Sequence, residues 1–145
     1  MDALDHAILD VLRTDARTSV NVIAQQVHIS RANTYARIKR MTDDGVILGY
    51  RAVTDPVSAG FRSSAYVSMS VDQRRWQEIR AALDALPEIE HVALVGGDFD
   101  VMVLVRARDN RDLRRIVLEE VQSIDGVTST QTFLIFEDHQ PKATS

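Results

Sequence analysis

The chain contains no cysteine, so neither a disulfide framework nor thiolate chemistry is open to it. It has no apolar run near the roughly 20 residues that a helix needs to cross a bilayer. Its opening MDALDH lacks the basic and apolar regions of a signal peptide. Together these absences predict a soluble, cytoplasmic protein without membrane contact. The histidines His6, His28, His91 and His139 are scattered, with no spacing such as HExxH, and neither a His nor a third acid lies close in sequence to Asp98 and Asp100. No metal site is expected from that pattern. A nucleophile motif, a phosphate loop and a cofactor fingerprint are also missing, which argues against an enzyme and leaves no cofactor or catalytic residue to assign. Lastly, the net charge of −4 lacks the general basic footprint of a nucleic-acid binder. That charge is unevenly placed: residues 1–60 hold seven Arg/Lys and seven Asp, so residues 61–145 carry all of it. Any contact with nucleic acid must be local.

What is present starts with apolar spacing. Leu4, Ile8, Val11 and Leu12 repeat at i, i+4, i+7 and i+8, and Val20, Ile23, Ala24 and Val27 at i, i+3, i+4 and i+7, each marking one face of a helix. Ser19 is placed to cap the second helix, and His28-Ile29-Ser30 breaks the period and supplies a further cap. From Arg31 a third helix runs to about Thr42, with Thr34, Ile38 and Met41 on one face. Helices this short bury their faces only together, which predicts a three-helix unit containing a helix-turn-helix. After Gly45 the β-branched and aromatic stretch Val46–Val53 predicts a small strand or wing.

Helix-turn-helix spacing alone also fits a purely structural bundle, and charge separates the two readings. Ser30 to Arg40 contains Arg31, Arg37, Lys39 and Arg40 and no acid. Asn33, Thr34 and Tyr35 lie among them and can bond base edges or phosphate. The expectation is that this helix enters the major groove of double-stranded DNA, with Asn33, Thr34 and Tyr35 near base edges and Arg37, Lys39 or Arg40 on phosphate.

Val53–Phe61, VTDPVSAGF, collects Pro, Gly and small polar residues and reads as a hinge. Beyond it the element types alternate. Ala65, Val67, Met69 and Val71 share a strand face. Trp76, Ile79, Ala82, Leu83 and Leu86 follow at helical spacing. Two apolar strands, 91–95 and 101–105, flank Gly96-Gly97-Asp98-Phe99-Asp100. A helix carrying Leu113, Ile116, Val117, Val121 and Ile124 ends at Gly126, and Val127–Phe136 forms the last strand. The fold class predicted is α+β: a winged helix-turn-helix domain over 1–52, a hinge over 53–61 and a ferredoxin-like βαββαβ domain over 62–138. The tail, 139–145, has no periodicity and is expected to fray. An antiparallel sheet with both helices on one face leaves the other face to be covered, in a chain this short by a second subunit.

A helix-turn-helix ending in GVILGY, the TDPVSAGF hinge, and a βαββαβ domain with GGDFD between its middle strands resemble the Lrp/AsnC family of prokaryotic feast/famine transcriptional regulators, from about Leu4 to Glu137. The resemblance implies a sequence-specific regulator whose DNA binding or assembly responds to an amino acid or related small molecule. It further implies dimers through the sheets, often assembled into tetramers or octamers, with effectors between dimers near the glycine loop. Two positions depart from the family pattern: His28 stands where relatives commonly have glycine, and Val101 where an aromatic is frequent. Read on its own chemistry, the loop is a hairpin turn in which Gly supplies positive φ and Asp bonds its own backbone. Read with the resemblance, it is a site for a zwitterionic amino acid. Leu94, Gly96, Gly97, Asp98 and Asp100 of one subunit would then face Thr130, Thr132 or Leu134 of another. Thr128, Thr130 and Thr132 at period two either bond that ligand or solvate a sheet surface. The competing function is an architectural protein that compacts DNA by self-association and senses nothing.

Overall fold

The computed structural model describes residues 1–140. Most of the tail expected to fray lies outside them. Two compact units emerge, Met1–Val53 and Thr54–His139.

In the first unit, α1 spans Ala3–Thr14, α2 Val20–Gln26 and α3 Arg31–Asp43. Each start is fixed by a side chain that satisfies free helical N–H groups. Asp2 and Asp5 form a reciprocal capping box on α1. The Ser19 hydroxyl accepts from the Val22 N–H, and the Ser30 hydroxyl from the Asn33 N–H. The turn between α2 and α3 closes with the Ile29 N–H on the Ala24 carbonyl at 3.1 Å, a geometry that puts His28 at φ 57°. His28 is the only non-glycine residue with positive φ among the described residues. Ile8, Leu9, Ile23, Met41 and Ile47 make the core, with Val11, Leu12, Val27, Ile29 and Ile38 packed around it.

The expected wing does not form among the described residues. Gly45 at φ 71° ends α3, and the N–H groups of Val46 and Ile47 both turn back onto the Met41 carbonyl, which drives Ile47 into the core. The rest of the segment lacks a ladder partner within the described residues: Leu48, Tyr50 and Val53 stand exposed, and no strand forms there. β-propensity needs a neighbour about 4.8 Å away to become a strand, and the described residues offer none.

The second unit is a four-stranded antiparallel sheet in the order β2-β3-β1-β4, with β1 Ser63–Val71, β2 Ile89–Leu94, β3 Val101–Ala107 and β4 Val127–Leu134. Helix α4 covers Trp76–Asp84. Helix α5 covers Asn110–Arg115 and widens into a π-helical stretch, Ile116–Val121, where the Gln122 N–H reaches the Val117 carbonyl. Ala65, Val67, Met69 and Val71 of β1 and Val101, Val103, Val105 and Ala107 of β3 face the helices. They pack on Ile79, Leu83, Leu113, Ile116, Val117 and Val121. This is the ferredoxin-like arrangement.

The opposite sheet face has no cover among the described residues. In register across it lie Tyr66, Leu104 and Phe133, then Ser68, Met102 and Gln131. Tyr66 and Phe133 remain more than two-fifths exposed, at 44% and 42%. Near one end of this face, Arg106 is almost fully buried, and its guanidinium donates to Glu90 and Asp138, each at 2.6 Å, and to the Ser64 hydroxyl at 3.0 Å.

Candidate nucleic-acid interface and effector site

Helix α3 buries only Thr34 and Met41. Thr34 is a correction to the base-edge set: its side chain is fully enclosed, with its hydroxyl on the Ser30 carbonyl at 3.0 Å. Arg31, Asn33 and Tyr35 are exposed, Tyr35 at 63%. The cations farther along α3 have partners within the unit. Arg37 bonds Asp2 and Asp5, both at 2.8 Å, and Arg40 bonds Asp5 at 2.7 Å. Lys39 pairs with Asp43 at 2.6 Å, and the Asn33 amide oxygen accepts from Arg37 Nε. Arg31 is thus the α3 cation with no carboxylate partner among the described residues.

Asp5 is the side chain that the sequence analysis missed. It sits 1% exposed at the start of α1, receives the Asp2 N–H, and holds two arginines of α3. The Asp2 N–H, with Arg37 and Arg40, keeps its carboxyl below the ordinary range against the opposing effect of burial. Arg37 beside Asp2 brings that carboxyl down to about 2. The Asp-x-x-Asp spacing at residues 2–5 is a capping-box signal and was available in the sequence.

In the second unit, the β2–β3 connection closes with the Val95 N–H on the Asp100 carbonyl at 2.8 Å, and Gly97 takes φ 132°. Asp100 is fully engaged by its own chain. Its carboxylate accepts from the Val71 N–H at 2.9 Å and Gln73 Nε2 at 3.1 Å, and its N–H donates to the Met69 carbonyl. The Val71 N–H, then Gln73, hold its carboxyl below the usual value. Asp98 is exposed and has no side-chain hydrogen-bond partner among the described residues, so the two acids of GGDFD do different work. Leu94, half exposed, borders a groove of about 490 Å³ with Trp76, Arg80, His91 and Val92.

The other half of the expected pocket lies on the far edge strand. Thr130 and Thr132 pair with Met69 and Val67 and therefore face the helices, and Thr130 accepts from Gln122 Nε2 at 2.8 Å. Thr132 and Leu134 join Leu113, Arg114, Val117 and Leu118 around an apolar groove of about 440 Å³. Simple alternation of the three threonines fails at a register shift between Ser70 and Val71, where Thr128 bonds the Ser70 carbonyl instead. Within one chain β4 and β2 are opposite edges of the sheet, so Thr132 and Leu134 do not meet the glycine loop. Among the described residues no three His, Asp or Glu side chains gather to hold a metal ion, and no helix is long and apolar enough to cross a membrane.

Comparison with known proteins fits this two-part layout. The model of the AsnC-type helix-turn-helix domain matches residues 1–42, and that of the Lrp/AsnC ligand binding domain matches residues 64–144. A proline dehydrogenase transcriptional activator of Rhizobium radiobacter is 32% identical over 140 residues, covering 94% of this chain and 90% of that protein. Among solved structures, the leucine response regulatory protein LrpA of Mycobacterium tuberculosis superposes with a TM-score of 0.88 at 24% identity over 98% of this chain and 97% of that one. A transcriptional regulator of Neisseria meningitidis in complex with L-Met superposes with a TM-score of 0.86 at 22% identity, over 98% and 94% of the two chains. The chain belongs to the Lrp/AsnC family of transcriptional regulators, which pair a DNA-binding helix-turn-helix with a ligand-binding domain.

Proposed function

We propose that this regulator, like its family not an enzyme, reads DNA through α3 and adjusts its affinity or assembly in response to an amino acid. The observation that carries the reading is the presentation of α3: the Ser30 cap and the Asp5–Arg37 and Asp5–Arg40 pairs hold it in place while Arg31, Asn33 and Tyr35 stay outward. Arg31 supplies phosphate contact, and Asn33 and Tyr35 lie at base edges. Arg37, Lys39 and Arg40 serve first to fix the helix and add to the local positive field.

The effector reading rests on the ligand-binding domain and on the loop. In this reading the N–H groups of Gly96 and Gly97 take the ligand carboxylate and Asp98 takes the ammonium. Asp100 positions the loop through Val71 and Gln73. Leu94 lies at its border, and Thr130, Thr132 or Leu134 of a second copy completes the pocket. The N. meningitidis regulator bound to L-Met supports an amino acid as the class of ligand.

Self-association through the uncovered sheet face, where Tyr66, Met102, Leu104 and Phe133 cluster, completes the proposal. A unit with few free cations binds DNA weakly alone, and a second tethered copy raises avidity by ~10²–10⁴ where half-site spacing permits. Dimers, with tetramers or octamers built from them, follow. Sedimentation of the full chain tests this: a concentration-independent monomer would rule out the dimer. A thermal-shift screen of the amino acids tests the effector, because a ligand of the folded state raises the melting temperature. An assembly that compacts DNA and responds to none of them would be architectural.

A further inference from the structure

The second unit is acidic, with nine arginines against fifteen Asp and Glu between Thr54 and His139, yet residues 106–115 hold five arginines and two aspartates. Both aspartates have internal duties. Asp109 caps α5 by accepting the Asp112 N–H at 2.7 Å, and Asp112, 8% exposed, binds Arg108 and Arg115. Arg115 is further tied to Glu88 and Glu120, and Arg106 is buried. Arg111 and Arg114, one helical turn apart on α5, have no carboxylate partner among the described residues, and both are exposed. Arg108, its side chain 76% exposed, continues the row at the same spacing of three. The row opens onto a groove of about 500 Å³.

We propose that Arg108, Arg111 and Arg114 form a second, sequence-independent contact for DNA phosphates on the ligand-binding unit. The proposal rests on the DNA-binding reading above. The donors lie along an open groove and do not converge on a closed cavity, and Glu119 on the same groove opposes a lone small anion. A polyanion with regularly repeated charges suits such a row, because each neutralised phosphate releases condensed counterions. Asp112 bonds Arg108 through both Nε and Nη2, fixing the guanidinium while leaving most of it in solvent. Tethering to the helix-turn-helix keeps DNA at high local concentration, so individually weak contacts count.

The test measures affinity of the full chain for a long mixed-sequence duplex by fluorescence anisotropy across a salt series. Arg111→Gln/Arg114→Gln should retain the wild-type melting temperature, since no ion pair is lost. It should flatten the slope of log K against log salt by about 0.9 for each phosphate contact removed. Arg62→Gln/Arg80→Gln, an equal charge change elsewhere on the unit, should leave the slope in place. An unchanged slope in the first double variant, or an equal fall in the second, overturns the proposal. If Arg31→Gln lowers the slope while Arg111→Gln/Arg114→Gln does not, only the arginine row is overturned. A wild-type chain without salt-dependent affinity overturns the row and the DNA reading together. Stabilisation by inorganic phosphate that disappears in Arg111→Gln/Arg114→Gln, with the DNA slope intact, makes the groove a small-anion site and overturns the proposal.

Discussion

Arg37 and Asp5, 32 residues apart in sequence, meet at 2.8 Å with the carboxylate almost wholly enclosed. This contact joins the start of α1 to the middle of α3 and turns a cation that sequence places among the DNA contacts toward the protein. Removing one partner of an enclosed pair leaves the other short of its bonds. Arg37→Ala should therefore lower the melting temperature of the Met1–Val53 unit, with Arg40 retaining part of the hold on Asp5. Arg31→Ala should melt normally and reduce the salt slope of DNA affinity by about 0.9. Calorimetry and anisotropy on the two variants separate the roles; an Arg37→Ala chain of normal stability and flattened slope would return Arg37 to the phosphates.

Acid should destabilise both units in a defined window. The carboxyls of Asp2 and Asp112 lie at about 2 in the folded chain, set by Arg37 and Arg108 respectively, against an ordinary value of 3.8. A depressed folded pKa contributes stability that is fully present above the unfolded value and is lost as pH falls through the folded one. Melting temperature should be insensitive to these groups above about pH 4 and decline between about pH 4 and 2. Asp112→Asn should shrink that decline in the second unit. A decline of equal size in the variant would contradict the assignment.

The two acids of the glycine loop should separate experimentally. Asp98→Asn should keep the wild-type melting temperature and lose the stabilisation given by whichever amino acid protects the wild type. Asp100→Asn should lower the melting temperature without ligand, because the Val71 N–H and Gln73 lose a charged acceptor. Calorimetric titration giving unchanged ligand affinity in Asp98→Asn would remove that residue from the site.

His28 holds φ 57° in the turn between α2 and α3, where a side chain costs roughly 1–2 kcal/mol relative to the right-handed region. His28→Gly relieves that strain and loses about 0.4–1 kcal/mol through the more flexible unfolded chain. A net stabilisation of up to about 1.6 kcal/mol is expected. His28→Val should destabilise, since β-branched residues tolerate positive φ least. Urea unfolding of the three chains decides it.

The element order was legible because apolar periodicity is local: both serine caps, Gly45, Gly126 and the ferredoxin-like succession stand in the sequence as they do in the fold. What was not legible depends on partners distant in the chain. Val46–Val53 has strand propensity and no neighbour to pair with among the described residues. An acid-free run on α3 looked free to meet phosphate, but Asp2 and Asp5, more than thirty residues earlier, engage Arg37, and Asp5 also engages Arg40. Thr34 has the chemistry of a base contact and the position of a core residue, and position prevails. Period two put Thr128 with Thr130 and Thr132 until a register shift intervened.

The proposed function couples DNA reading to amino-acid sensing in one chain. Its most direct test is the affinity of the full chain, by anisotropy at fixed salt, for the duplex it enriches from a random-sequence pool, measured with and without each proteinogenic amino acid. A recurrent sequence is expected in the enriched pool, with at least one amino acid that shifts the affinity several-fold and a shift that is abolished in Asp98→Asn. Enrichment of no sequence, or an affinity that no amino acid moves, would contradict the proposed function.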